Sequence, residues 1–385
     1  MANPAPVEVE VTLHGVVLDP GGAWHREAPR PPASRQERYD ERFDTDTLFY
    51  DVFRVDEHVE LIGPPLLNLA GGLRPMSLQH AGRRYARSFR STAMNRVHRH
   101  RITGIPQDVD SLRLRCPLGR FRLDIGENLS GAFTERRVLV TQSQNNSLEW
   151  IARWVDHHVA TQGIDAVVFY DNASTLYSSD DVRGVLRDRP GLAMFSVIDW
   201  PYPWGPTGGP DSVWDSDFGQ LGAWEHAWRR LCRTAATITF GDIDELIIGP
   251  EPTVTERAAA SPQGICSYRR MSIVNVPAEP TDGLSRMRDY ADYRLYDPEA
   301  PLLTPKYTVA PGTLLETDQL LVHCVDGRRV PDETDVLVRH FNSMRIEWRD
   351  GEQHPVPDLR AEHVEAQSLC VDEELVASLA RIPGP

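Results

Sequence analysis

Short runs of alternating apolar and polar residues dominate the first third of the chain. In VEVEVTLHG, the side chains of Val7, Val9, Val11 and Leu13 fall on one face of an extended strand, and similar runs recur in LFYDVFRV, HVELIG, LRLRC and FRLDIG. Strict alternation over short runs is typical of half-buried β-strands, and the proline, glycine and aspartate residues between the runs indicate turns. The pattern predicts a β-rich N-terminal domain over residues 1–135.

The periodicity changes at Val138, where apolar runs begin to alternate with segments of helical spacing. The runs VLVTQ, IDAVVFYDN and LAMFSVIDW indicate buried strands. Between the first two runs, Leu148, Ile151, Val155 and Val159 recur at the spacing of one helix face. Strands that alternate with helices in this way predict an α/β fold, with a parallel sheet covered by helices.

The last third of the chain contains further strand-like runs. ICSYRRMSIV, LLVHCV and VLVRHF are predicted strands that complete the sheet, and the residues after Pro355 are typical of an acidic helix. The sequence therefore predicts one domain over 136–355, with a mostly parallel sheet and flanking helices, and a C-terminal helical tail over 356–385.

Composition narrows the possible functions. The 385 residues include 41 basic and 56 acidic side chains, which give a net charge of −15, and 41% of the residues are hydrophobic. This balance is typical of a soluble globular protein and argues against general binding of nucleic acid or anionic membranes. The N-terminal residues lack the basic and apolar regions of a secretory signal, so we expect a cytoplasmic protein.

Three acidic residues interrupt the apolar stretch TITFGDIDELIIG. Asp242, Asp244 and Glu245 directly follow a predicted buried strand. Clustered carboxylates repel one another unless a cation lies among them, and Mg²⁺ and Mn²⁺ prefer oxygen ligands. The stretch is therefore either a divalent-cation site or a strand end with solvated acids.

Polar residues also follow the other predicted parallel strands. Thr141 lies at the end of the first of these strands, and Asp171 lies at the end of the second. Ligands of open α/β sheets bind outside the carboxyl ends of the strands. We therefore expect Thr141 and Asp171 to face the same crevice as Asp242 and Asp244.

The basic residues are almost all of one type. Of the 41 basic residues, all but Lys306 are arginines. A compact ammonium at this position suits a place where a guanidinium does not fit, although chance retention explains it equally well. Arginines are dense between Arg83 and Arg101, and this segment either meets an anionic acceptor or pairs with the protein's own acids.

Several ordered motifs between residues 138 and 341 resemble those of the GT-A glycosyltransferases, especially the family 92 and family 2-like group. The first motifs are QNN, LEW, DHH and YDNAS. The next are Q-x-x-A-x-x-H, here Gln220, Ala223 and His226, and then DIDEL. The last are the lysine Lys306, the VH pair that ends at His323 and the HF pair that begins at His340.

One motif departs from the pattern of this family. The family has K-N-E where this chain has Gln144, Asn145 and Asn146, so a lysine and a carboxylate are lost. The roles of those two charged residues in the family therefore do not carry over to this protein.

The resemblance implies a GT-A fold and the metal-dependent transfer of a sugar from a UDP-sugar donor. The residues that match Thr141 and Asp171 contact the base and ribose in such enzymes. Asp242 is implied to approach the ribose or metal, and Asp244 to hold a Mn²⁺ or Mg²⁺ ion. A further metal or diphosphate contact is implied for His323, with His340 as the alternative. Lys306 is implied to neutralise the diphosphate of the leaving group.

The reaction implied by the resemblance is direct displacement with inversion at the anomeric carbon. An acceptor hydroxyl attacks this carbon, and a carboxylate within hydrogen-bond reach removes the hydroxyl proton. Glu279 and Asp282 are the candidates for this catalytic base, although loop carboxylates also commonly form turns. Trp200, Trp204 and Trp214 either stack on a sugar or aromatic acceptor or pack within a lid.

Two other functions stay open from the sequence. A nucleotidyltransferase also uses paired aspartates with metal ions, but no Gly-Ser turn opens a helix upstream of this pair. A non-catalytic nucleotide- or sugar-binding protein is consistent with the lost K-N-E charges. The expected function is sugar transfer to a soluble acceptor, either a small metabolite or a glycan, without a nucleic-acid or membrane partner.

Overall fold

The structure, a computed structural model, describes residues 5–85, 88–209, 211–277, 288–344 and 369–382. The strands of these residues are β1 (Val7–Glu8), β2 (Val16–Val17), β3 (Thr47–Phe49), β4 (Asp51–Val55), β5 (His58–Gly63), β6 (Ser77–His80), β7 (Arg83–Arg84), β8 (Phe89–Ala93), β9 (His98–Thr103), β10 (Ser111–Cys116), β11 (Gly119–Asp124), β12 (Arg137–Ser143), β13 (Ala166–Asp171), β14 (Met194–Asp199), β15 (Thr237–Phe240), β16 (Glu245–Ile248), β17 (Ile265–Ile273), β18 (Leu295–Tyr296), β19 (Leu303–Val309), β20 (Asp332–Phe341) and β21 (Cys370–Val371). The α-helices are α1 (Tyr39–Arg42), α2 (Leu69–Gly72), α3 (Leu148–Gln162), α4 (Ser179–Arg187), α5 (Gly219–His226), α6 (Val254–Ala260) and α7 (Glu373–Leu379).

The largest sheet contains nine strands within the described ranges, in the order β1-β14-β13-β12-β15-β19-β17-β20-β16. Neighbouring strands from β1 to β15 are parallel. The other half is mixed, because β19 is antiparallel to both β15 and β17, whereas β17 and β20 are parallel. The prediction of an α/β fold is thus confirmed, and the large sheet is parallel from β1 to β15 and mixed beyond β15.

The parallel strands are apolar on both faces because both faces are covered. Val138 and Val140 pack into one core together with residues of α5, and Leu139 packs into a second core with residues of α3 and α4. A strand that is buried on both faces has a continuous apolar run in its sequence, as these strands do.

The long helix α3 begins and ends at the residues that local chemistry favours. The hydroxyl of Ser147 accepts a hydrogen bond from the backbone N–H of Trp150 at 3.1 Å, so this serine caps the helix. Gly163 follows the helix with φ of 63°, the left-handed conformation that glycine adopts without strain. This helix fixes the position of β12 relative to β13, which lie on either side of it in sequence.

The first strand belongs to the large sheet and is shorter than predicted. Only Val7 and Glu8 form β1, which pairs with β14, and Val7 is 60% exposed. Val9, Val11 and Leu13 pack against the core under the parallel strands. The predicted extent and location of this strand are wrong, because alternation identifies a buried face but does not identify the neighbouring strand.

Two four-stranded antiparallel sheets form much of the N-terminal region, in the orders β4-β5-β9-β8 and β11-β10-β6-β7. The first of these sheets shares a core with the large sheet, since Tyr50 and Phe53 cluster with Val140 and Trp224. The boundary predicted near residue 135 therefore separates two parts of the chain that pack on a common hydrophobic core.

The predicted strand LLVHCV is a turn in the structure. Leu320 and Val325 form an isolated β-bridge, and the N–H of Leu321 donates to the carbonyl of Cys324 at 2.9 Å. The apolar run arises because Leu320 and Val325 are buried, not because the segment is extended. This correction places His323 at the tip of a turn.

The C-terminal helix α7 lies within the predicted helical tail, and the residues between 344 and 369 lie outside the described ranges. Over the residues that the structure describes, no helix combines the length and apolar character needed to cross a membrane.

A buried polar cluster joins the N-terminal sheet to the large sheet. The carboxylate of Asp51 in β4 contacts His226 Nε2 at 2.9 Å and accepts a hydrogen bond from Arg230 at 2.6 Å. The other ring nitrogen of His226 lies 2.7 Å from the hydroxyl of Tyr170 in β13. Each of these groups is buried, so the cluster fixes how the N-terminal sheet packs against α5.

A second buried carboxylate, Glu225, lies beside two arginines. Its Oε2 atom is 3.9 Å from Arg99 Nε and 3.7 Å from Arg229 Nε, and its Oε1 atom accepts a hydrogen bond from the N–H of Leu320. Burial raises the pKa of Glu225 to about 7, although the charge of Arg99 opposes this rise. This carboxylate therefore titrates well above the usual range of a glutamate.

We expect Glu225→Gln to reduce the pH dependence of stability. The folded-state pKa of about 7 exceeds the ordinary value of 4.5, so the folded protein keeps a proton that the unfolded chain loses. The free energy of unfolding should therefore fall as the pH rises through this window, by an amount on the order of 3 kcal/mol in the wild type. Urea unfolding at about pH 5 and pH 8 measures this difference, with the exposed Glu37→Gln as the control. An unchanged difference in Glu225→Gln would contradict the assignment.

Candidate functional site

A pocket of about 620 Å³ lies where β12 and β15 end. Gln142, Ser143 and Gln144 line it from the end of β12, and Asp242 and Asp244 line it from the segment after β15. From β12 the chain passes to β13 and β14 on one side of this strand, and it then returns to form β15 on the other side. Such a switch point opens a crevice at the carboxyl ends of the strands. We refer to this space as the candidate pocket.

The acidic segment forms a tight turn between β15 and β16. The N–H of Glu245 donates to the carbonyl of Asp242 at 3.1 Å, and the N–H of Asp242 donates to the carboxylate of Glu245 at the same distance. These reciprocal hydrogen bonds hold Asp242 at the rim of the pocket. Glu245 is turned inward and is 1% exposed.

The buried ammonium of Lys306 neutralises part of the negative charge of Asp242 and Glu245. Its ammonium is 2.7 Å from Asp242 and 3.0 Å from Glu245, and the residue is 1% exposed. Burial lowers the pKa of Lys306, but the charges of Asp242 and Glu245 more than offset this effect and raise the pKa above its usual value. Lys306 is not among the residues that line the pocket, and its ammonium contacts Asp242 and Glu245.

Arg270 provides a second positive charge at the candidate pocket. Its guanidinium donates to the carboxylate of Glu245 at 3.1 Å, and the residue lines the pocket. Lys306 therefore pairs with Asp242 and Glu245, and Arg270 pairs with Glu245.

Asp244 is held in place by the neighbouring strand β20. Its carbonyl accepts a hydrogen bond from the N–H of Phe341 at 2.8 Å, and its carboxylate is 3.4 Å from His340 Nε2. Burial raises the pKa of Asp244, the charge of His340 lowers it, and the charges of Asp242 and Glu245 add to the rise. A cation bound at this carboxylate would relieve that electrostatic cost.

His323 reaches the candidate pocket from the turn between Leu320 and Val325. Its Nδ1 atom is 2.9 Å from the carbonyl of Pro305, and because a carbonyl only accepts hydrogen bonds, Nδ1 carries the proton. Burial lowers the pKa of His323 to about 4, with the charges of Lys306 and Arg270 acting in the same direction. The ring is therefore neutral at pH 7, with the lone pair on Nε2. A backbone carbonyl fixes metal-binding histidines in this same tautomer.

These groups are compatible with one divalent cation that takes its remaining ligands from phosphate oxygens. Asp242 and Asp244 line the same pocket as His323 and His340. Within the described ranges, no three histidine, cysteine or acidic side chains lie together as a group that could hold a metal ion. Mg²⁺ is commonly held by one or two carboxylates together with substrate phosphates, so a closed protein cluster is not required.

Two residues expected in the same crevice do not line the pocket. Thr141 is fully buried within β12, opposite Phe169 in the strand ladder. Asp171 ends β13, is 5% exposed, and lies 3.4 Å from the hydroxyl of Ser179. Asp242 and Asp244 therefore share one crevice as expected, whereas Thr141 and Asp171 do not line it.

Asn145, the central residue of the altered QNN motif, has a structural role. The side-chain oxygen of Asn145 accepts hydrogen bonds from the N–H groups of Thr175 and Leu176, at 2.7 and 3.1 Å. Gln144 and Asn146, on either side, line the pocket with uncharged amides. The loss of the two K-N-E charges therefore leaves this wall of the pocket polar and neutral.

Asp217, a charged residue that lines the pocket, was not identified from the sequence. It forms an ion pair with Arg96, which also lines the pocket and lies in the arginine-rich segment predicted either to meet an anionic acceptor or to pair with the protein's own acids. The two candidates for the catalytic base, Glu279 and Asp282, lie outside the described residues.

No protein-family model matches this chain, and no curated protein matches it.

Proposed function

We propose that the protein is a metal-dependent glycosyltransferase of the GT-A type, which moves a sugar from a UDP-sugar to a hydroxyl group of a soluble acceptor. The observation that carries this proposal is the pair Asp242 and Asp244 at the carboxyl end of a parallel strand, on a pocket of about 620 Å³ that His323 and His340 also line. The volume suits a nucleotide-sized ligand, since ligand pockets commonly span about 300–1,000 Å³.

The order of strands supports the same proposal. β14, β13, β12 and β15 form a parallel series with its switch point at β12, the arrangement that places nucleotides at the carboxyl ends of the strands in doubly wound folds. The antiparallel strand β19 then brings Lys306 beside Asp242. The only lysine of the chain is therefore part of the candidate site.

In the proposed reaction, each described residue has a specific task. Asp242 and Asp244 would hold the cation, with His323 or His340 as a further ligand, and Lys306 fixes the carboxylate of Asp242 through its 2.7 Å contact. A bound Mn²⁺ or Mg²⁺ supplies positive charge that stabilises the departing nucleoside diphosphate. The acceptor oxygen forms a bond to the anomeric carbon as the bond to the diphosphate breaks. The hydroxyl proton passes to a carboxylate, for which Glu279 and Asp282 remain the candidates.

The proposal is tested by calorimetric titration of UDP into the protein with Mn²⁺ and then with EDTA. We expect binding that requires Mn²⁺, and we expect Asp244→Asn to weaken it by about tenfold or more, since the variant loses a charged metal ligand. Asp188→Asn, at an exposed position outside the pocket, is the matched control and should bind as the wild type does. Absence of UDP binding by the wild type, or equal binding by Asp244→Asn, would contradict the proposal. The acidic segment would then be interpreted as a strand end with solvated acids.

A non-catalytic UDP- or sugar-binding protein is a second candidate. One observation favours it, namely that the carboxylates of the described pocket residues are engaged by partners: Asp217 contacts Arg96, Asp242 contacts Lys306, and Asp244 lies near His340. Such carboxylates are poor bases for an acceptor hydroxyl. Release of UDP from a UDP-sugar in the presence of acceptors distinguishes the two functions, because a binding protein retains the donor intact.

A further inference from the structure

A second group of residues lines the candidate pocket and has no role in the proposed contacts to the cation. It consists of Arg96, Trp204, Trp214 and Asp217, and we call it the tryptophan wall. Asp217 lies two residues before α5, and Gln220 Nε2 in the first turn of this helix lies 3.4 Å from Asp242. The tryptophan wall therefore adjoins the acidic end of the pocket.

The two aromatic side chains of the wall offer an apolar surface to the pocket. Their ring centroids are 6.2 Å apart in an edge-to-face arrangement. Trp204 is 7% exposed, whereas Trp214 is 48% exposed although it is a large apolar residue. Tryptophan commonly provides large contact areas at binding sites because its ring is rigid and amphipathic. The C–H groups on one face of a pyranose ring complement such an aromatic surface.

The ion pair of the wall offers hydrogen bonds without a net charge. Arg96 contacts Asp217 directly, and their side chains are 17% and 6% exposed. A guanidinium only donates hydrogen bonds, and a carboxylate only accepts them. The pair thus presents a donor and an acceptor side by side, which matches the alternating needs of neighbouring hydroxyl groups. An anionic ligand would have to compete with Asp217 for Arg96.

The wall is held in place by a buried arginine of the N-terminal region. Arg30, whose side chain is 4% exposed, donates to the carbonyls of Thr207 and Val213 at 3.1 and 2.5 Å and to the carboxylate of Asp215 at 2.6 Å. These bonds fix the backbone on both sides of Trp214. A binding surface whose loop is fixed in advance loses less entropy when its ligand binds.

Arg96 is also positioned by its own loop. Its backbone φ is 60°, and the preceding residue, Asn95, exchanges two hydrogen bonds with the buried side chain of Gln319, at 2.8 and 2.7 Å. These two hydrogen bonds hold the hairpin between β8 and β9 against the segment around Gln319, which lies four residues before His323. The N-terminal region therefore contributes Arg96 directly and positions Trp214 through Arg30.

We propose that the tryptophan wall is a binding subsite for an uncharged saccharide, with one ring stacked on Trp214 and neighbouring hydroxyls bonded to Arg96 and Asp217. Its role as the acceptor subsite rests on the proposed transferase function. Saccharide binding itself does not depend on that function, because it requires only the four residues of the wall.

Saturation-transfer NMR with maltose, cellobiose and lactose tests this subsite on the 385-residue chain, with and without UDP and Mn²⁺. We expect at least one of these neutral disaccharides to bind, with the strongest transfer to its ring C–H protons. Trp214→Ala should weaken the affinity about tenfold or more, whereas Trp214→Phe keeps an aromatic face and should retain most of it. Arg96→Gln should also weaken binding. Trp24→Ala, which removes an exposed tryptophan outside the pocket, is the control and should leave binding unchanged.

The outcomes separate this inference from the proposed function. Failure of all three disaccharides to bind, or equal binding by wild type, Trp214→Ala and Arg96→Gln, would overturn the inference. Binding of glucuronate in place of the neutral sugars, lost in Arg96→Gln, would also overturn it and indicate an anionic ligand. Calorimetry with UDP and Mn²⁺ on the wild type tests the proposed function separately. Disaccharide binding without any UDP binding would support the saccharide subsite and contradict the transferase proposal.

Discussion

Replacing Lys306 by methionine should lower the free energy of unfolding by about 3–5 kcal/mol, the usual cost of leaving a buried charge without its partner. Methionine preserves most of the side-chain volume and removes the charge. Glu245, which is 1% exposed, would then keep Arg270 as its cationic partner, and Asp242 would lose its contact with the ammonium at 2.7 Å. The two carboxylates would repel each other across the floor of the pocket.

Urea unfolding of Lys306→Met measures this loss, and two further variants make the result specific. Arg122→Met removes one member of an exposed ion pair, whose side chains are 66% and 45% exposed, and should cost less than about 1 kcal/mol. Adding Glu245→Gln to Lys306→Met should recover part of the lost stability, because it removes one of the two carboxylates that repel each other. Equal stability of the Lys306 and Arg122 variants would show that the Lys306 ammonium is not the partner that these carboxylates require.

Replacing Asp51 by alanine should be similarly destabilising, at about 3–5 kcal/mol. The carboxylate is fully buried and accepts hydrogen bonds from the N–H groups of His14 and Val52, from His226 and from Arg230. Its removal leaves a buried guanidinium without its carboxylate and separates the N-terminal sheet from α5. Urea unfolding again provides the measurement, with Asp124→Ala at an exposed ion pair as the control.

The stability contributed by Asp51 should also depend on pH in a defined direction. Burial raises the pKa of this carboxylate, but the hydrogen bond from His226 and the charge of Arg230 more than offset that effect and lower the pKa below its usual value. The contribution is therefore present above the ordinary pKa of 3.8 and is lost as the pH falls through the lower folded-state pKa. Wild type and Asp51→Ala should accordingly differ most near neutral pH, and an equal difference at strongly acidic pH would contradict this sign.

The parallel half of the sheet was predictable because its signal is local. β12, β13 and β14 each contain adjacent apolar residues, β15 alternates threonine with Ile238 and Phe240, and α3 and α4 show the helical period between the first three of these strands. Burial on both faces produces such runs directly. The mixed half was less predictable, because its strands pair with partners that are distant in sequence and in both orientations. LLVHCV shows the difference, since its apolar residues are buried in a turn.

The position of the acidic pair followed from the strand that precedes it, but its surroundings did not. Lys306 and Asp242 are 64 residues apart, and Arg96 and Asp217 are 121 residues apart. No local pattern brings such pairs together. Thr141 shows a different limit, since it lies two residues before the end of β12, roughly 7 Å short of the crevice at the usual rise per residue. Ser143, at the strand end, lines the pocket instead.

The burial of Lys306 has a consequence for chemical modification of the protein. An amine-directed reagent has one lysine side chain as its target in this chain, and that side chain is 1% exposed and held by two carboxylates. Acylation of this amine therefore requires the floor of the pocket to open locally. Its rate reports the free energy of that opening at a single, known position, without a label introduced by mutation.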